Sequence, residues 1–147
     1  MRDNCEFDER QLWLRGNVFK HIVIIMGVLL LLDAFLKSSD IYWADEMYSN
    51  IIILIFATMV GSVEMIIQDV YLGKRNNSKI IIGLMGLSGT VGFVLTVFEL
   101  ISGKSKFLLN GQLTNSGSGF IIDLCILTIV ITYIIKSNYN KKLEFEE

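Results

Sequence analysis

Residues 80–102 read IIIGLMGLSGTVGFVLTVFELIS, and no Asp, Glu, Lys or Arg interrupts them before Glu99. A charge-free run of this length meets the ~20-residue requirement of a bilayer span at ~1.5 Å rise per residue. Three further stretches share its character: 18–36, 50–71 and 119–135. Their solid apolar runs lack the alternation of a membrane strand, and backbone groups in lipid must be satisfied internally, so helices follow. The reading is therefore one domain over residues 1–147: an all-α, four-helix transmembrane bundle. The first span follows a stretch of mixed charge, contains Asp33 and lacks a small-residue cleavage site, which separates it from a signal peptide.

Basic residues orient the spans. Ten of the thirteen fall before the first span (Arg2, Arg10, Arg15, Lys20), between the second and third (Lys74, Arg75, Lys79) and in the tail (Lys136, Lys141, Lys142). Only Lys37, Lys104 and Lys106 fall on the other side. Both termini are thus expected in the cytoplasm. The outer first loop, SSDIYWADEMYSN, places Tyr42, Trp43 and Tyr48 where aromatic anchors sit, and Trp13 suits the inner boundary. The loop between helices three and four is the longest, and its Asn110-Gly111 is a type I′ turn pair. It reads as a small hairpin or an outer flap, against the alternative of a structureless connector. The N-terminal NCEFDERQLWLRG either lies on the membrane surface or extends the first helix, and Glu6 can pair with Arg10.

Catalytic signatures are missing. The single histidine, His21, excludes the zinc-protease spacing; there is no C-x-x-C, G-x-S-x-G or phosphate loop, and no nucleic-acid module. Cys5 and Cys125 are expected on opposite sides of the cytoplasmic boundary and unpaired. No cofactor is implied, and no enzyme. The expected partners are the lipid bilayer and either a second copy or a larger membrane protein, not nucleic acid.

Ionisable residues within spans are costly and are where function is sought first. Glu64 lies deepest, roughly 10 Å from the inner boundary by helical rise, with Gln68 one turn on and Asp69 at the boundary. Ala57, Gly61, Glu64, Gln68 and Tyr71 form one helical stripe that points into the bundle. Ile52, Ile55, Met59, Val63, Ile66 and Val70 lie opposite and are expected to face lipid. Glu64 is either a proton or cation site with Gln68, or a hydrogen-bonded tie between helices. Lys20 and His21 are placed to reach Asp69, and Glu64 less easily. In the third span Gly83, Gly86, Gly89 and Gly92 recur at three-residue steps and make a groove. With the Ala57/Gly61 pair this predicts close packing of helix two on helix three; a substrate path or a homodimer seam are the alternatives. Near the outer surface, Asp33, Glu99 and Asp123 would form an oxygen site for Ca²⁺ or Mg²⁺ if they converged. The structural alternative pairs Asp33 with Lys37 at i+4.

The segments DERQLWLRGNVFKH, running into the first span, and EMIIQDVY, closing the second, resemble uncharacterised small four-span membrane proteins of Gram-positive bacteria. That resemblance implies a bacterial cytoplasmic membrane and no activity. The chain does not resemble the small multidrug transporters, whose key glutamate sits mid-way along the first helix; here Ile24 to Leu30 are uncharged. The expected function is that of a non-enzymatic subunit or accessory component, with a small proton- or cation-coupled transporter using Glu64 as the alternative.

Overall fold

The computed structural model describes residues 8–71 and 78–146. Within them lie four helices, α1 (Glu9–Ser38), α2 (Glu46–Ile67), α3 (Ser78–Ile101) and α4 (Asn115–Glu146), with a two-stranded hairpin, β1 (Leu108–Leu109) and β2 (Gln112–Leu113), between the last two. All four helices are long and apolar enough to cross a membrane. This is an all-α four-helix bundle in a multi-pass membrane protein.

Each boundary has a local cause. Asp8 caps α1 in a reciprocal box with Gln11, so the N-terminal segment from Glu9 extends the first span rather than forming a separate surface helix. Without proline, the chain ends its helices through left-handed residues. Asp40 (φ 59°) follows α1 and Asp69 (φ 58°) follows α2. In both cases the next two amides return to carbonyls of the last turn: Asp40 to Lys37 and Ile41 to Leu36, then Asp69 to Ile66 and Val70 to Met65. These are Schellman ends, and Val70 packs with Met65 and Val18 as that motif favours. Gly103 (φ 68°) closes α3 in the same conformation. Thr114 starts α4: its hydroxyl accepts the Gly117 amide and donates to the Lys106 carbonyl. Helix α1 runs past the apolar segment at its N-terminal end because its Asp8 cap lies out in polar sequence.

The hairpin turns at Asn110 (φ 53°) and Gly111 (φ 83°), as the dipeptide predicted. Phe107 at its base stacks edge-on to Phe120, which in turn lies against Phe93. Leu113 of β2 bridges to Ala44 and donates its amide to the Trp43 carbonyl, so the two outer loops form one cap.

Contacts run in the order α1–α2–α4–α3. Helices α1 and α2 are antiparallel, as are α3 and α4, while α2 and α4 run side by side in parallel. The N-terminal end of α1 and the C-terminal half of α4 therefore lie on one side.

This order overturns two expectations. The glycine groove of α3 receives α4, not α2: Cβ atoms added at Gly86, Gly89 and Gly92 would meet Val130, Ile126 and Asp123. Gly83 faces open space and takes no part. Gly61 of α2 instead lies against Ile22 and Val18 of α1. The second correction concerns lipid exposure. Ile52, Ile66 and Val70 are buried, and Leu54, Phe56 and Ile67 are exposed in their place. With neighbours on two sides, α2 has only a narrow face left for lipid.

Candidate functional site

The predicted residues fall into four polar groups, each built across one helix pair. The first joins α1 to α2 near the inner end. His21 Nδ1 lies 3.0 and 3.1 Å from the two carboxylate oxygens of Glu64. Gln68 Nε2 donates to Glu64 Oε1 at 3.1 Å, from the next turn of α2. Glu64 is a quarter exposed and His21 more than half. The Gln68 Oε1 is buried and meets no partner among the described residues. Glu64 and Gln68 share a site as expected, and the stripe that carries them faces α1.

Asp69 belongs elsewhere. Its carboxylate pairs with Lys136 of α4 at 2.8 Å and accepts from Asn140 at 3.2 Å. Lys136 also donates to the Ile67 carbonyl left open by the helix end. The expected reach of Lys20 and His21 to Asp69 is thus corrected: His21 takes Glu64, and Asp69 takes α4. Asp69 parts from Glu64 because its left-handed backbone takes it off the helical repeat of α2.

The third group lies at the outer end of α1 and α2. Asp33 is 5% exposed. Lys37 Nζ is 2.7 Å from its Oδ2, and the Trp43 indole N–H donates to its Oδ1 at 2.6 Å. Lys37 also donates to Ser49 Oγ at 2.9 Å, and Ser49 passes its own proton to the Glu46 carbonyl. The i+4 pairing was anticipated. Trp43 and Ser49 were not; Trp43 does more than anchor the loop in the interface.

Asp33, Glu99 and Asp123 do not converge. Glu99 accepts from Ser116 Oγ at 3.0 Å, and Asp123 lies against Gly92 and Thr96. Both sit between α3 and α4, at the opposite end of the row from α1. Among the described residues no group of three His, Cys, Asp or Glu could hold a metal ion.

One sequence signal could have found His21. An antiparallel pair joined by a short loop has its register set by that loop. Lys37 meets Ser49, so sixteen residues back along α1 and fifteen on along α2 bring His21 to Glu64. Cys5, Glu6 of the Glu6–Arg10 pair, and the second-loop residues Lys74 and Arg75 lie outside the described residues, and Lys79 falls in the first turn of α3. Cys125 is buried and free. No family model, curated protein or solved structure matches this chain.

Proposed function

We propose that this chain is a non-enzymatic subunit or accessory component of a bacterial cytoplasmic membrane, with both termini cytoplasmic, acting by packing against a second copy or a larger membrane protein. The observation that carries the reading is the pairing of three carboxylates in or at the ends of the spans. Glu64, Asp33 and Asp69 each meet a basic residue, two of them on a neighbouring helix. Polar ties of this kind hold helices in register within lipid. Helices α1 and α3, at the ends of the row, leave long apolar flanks for a partner. The orientation is supported by the ten-to-three distribution of basic residues, and Lys37, one of the three, is ion-paired with Asp33 in its own helix. The bacterial assignment rests on the resemblance carried by DERQLWLRGNVFKH and EMIIQDVY.

A second reading is favoured by the His21–Glu64–Gln68 geometry: a proton- or cation-coupled transporter using Glu64. The two make opposite demands on Glu64→Gln. Gln keeps size and hydrogen bonding but removes the charge that coupling requires. For an accessory subunit, proteoliposomes holding either parent or variant show no specific proton or cation flux, and Glu64→Gln assembles like the parent while Glu64→Leu does not. Robust flux in the parent that vanishes in a folded Gln variant overturns the first reading in favour of the second.

A further inference from the structure

We propose that the apolar groove between the outer halves of α1 and α2 is a binding site for one phospholipid, the acyl chain lying in the groove and the phosphate on Lys37. The groove is open along one side and offers about 360 Å³, within the range of small-ligand sites. Its walls are Leu29, Leu32 and Leu36 from α1 and Ile52, Ile53 and Phe56 from α2. Leu29 to Leu36 spans about 10 Å of helix, so the slot follows the helix axes. Ile52 and Ile53 are its buried floor, whereas Leu32 and Phe56 stand exposed at its rims. A slot of this chemistry within a membrane span opens onto hydrocarbon, and a lipid chain is the molecule that reaches it.

The closed outer end supplies the headgroup contact. Asp33 and Trp43 complete the lining there, with Lys37 one turn farther out. An ammonium has three hydrogens. Lys37 gives one to Asp33 and one to Ser49, and the third is directed at none of the described residues. Lys37 lies in the last turn of α1, next to the loop that carries exposed Tyr42, and an aromatic there marks the interface where lipid phosphates sit. The Trp43–Asp33–Lys37–Ser49 chain thus holds the ammonium still at the mouth of an acyl-sized slot.

Trp43 is also the reporter. In a Trp13→Phe background it is the only tryptophan. Detergent-solubilised protein is titrated with phosphatidylcholine brominated on its acyl chain. Trp43 fluorescence is expected to fall and to saturate near one lipid per chain, and native mass spectrometry to show one retained phospholipid. Leu29→Phe or Leu32→Phe, which fill the slot from within and from its exposed rim, should raise the required lipid concentration at least fivefold. Size-exclusion elution identical to the parent's establishes that these variants fold. Quenching that follows the lipid content of the micelle without saturating, and that ignores the fillers, overturns the proposal. Protection of Trp43 that grows with chain concentration also overturns it, by showing that a second copy covers the groove.

Discussion

Asp33 shows how much one side chain in a span depends on its partners. Its carboxylate is buried and accepts from Trp43 while pairing with Lys37. Removing one member of a buried pair strands the other charge, at a cost of about 3–5 kcal/mol. Asp33→Asn leaves the Trp43 bond possible but takes the counter-charge from Lys37. Trp43→Phe keeps the ring and loses one hydrogen bond to a charged group, about 1.5–3 kcal/mol. Thermal unfolding in micelles should therefore rank Asp33→Asn below Trp43→Phe, and both below the parent. The reverse order would mean that the indole, not the ammonium, holds the carboxylate. Glu64 is a different case. It is partly solvated, so His21 and Gln68 orient it more than they stabilise it. Its depth was legible from the chain; His21 was expected to reach it only less easily than Asp69, because forty-three residues separate the pair and the loop register decides their meeting.

The packing of α3 on α4 depends on where glycine is required and where it is incidental. A Cβ at Gly89 would sit 2.9 Å from Ile126 Cγ2, and one at Gly92 would sit 2.5 Å from Asp123 Oδ1. Gly83 belongs to the same sequence pattern but has nothing within 4 Å. Gly89→Leu is expected to separate the two helices and lower the unfolding midpoint by several degrees or more. Gly83→Leu should leave the isolated chain within about 0.5 kcal/mol of the parent, as open surface sites do. Equal tolerance at both positions would show that the groove is not a helix interface. Ile66 moves the other way. Expected against lipid, it is buried, and Ile66→Leu then carries the repacking cost of a core exchange rather than none. A three-residue glycine step marks a helix that can be approached closely; it does not name the helix that approaches.

The row α1–α2–α4–α3 places the N-terminal end of α1 and the C-terminal half of α4 on one side, since His21 meets Glu64 and Asp69 meets Lys136 near the same boundary. In the proposed orientation, supported by the distribution of basic residues, that side is the cytoplasm. The sequence has two cysteines and Cys125 is buried, so labelling by a membrane-impermeant thiol reagent reports on Cys5. Labelling should appear only after cells are opened. Labelling of intact cells would invert the orientation, and with it the assignment of the groove and Lys37 to the outer leaflet.

The sequence by itself determined the number of helices, their membrane-spanning character, the Asn110-Gly111 hairpin and the i+4 pair of Asp33 with Lys37. Each is a local property, written in the length of an apolar run, a turn dipeptide or the helical repeat. Tertiary structure alone decided the order of the helices, the partner of the glycine groove, the buried face of α2 and the separation of Asp33 from Glu99 and Asp123. The physical reason lies in the solvent. In water, an apolar stripe points inward because the alternative is exposure. In a bilayer, lipid tails are as apolar as the bundle interior, so periodicity marks a face without saying what covers it. Only polar groups and small residues retain that information, and they state a requirement for a neighbour rather than its identity.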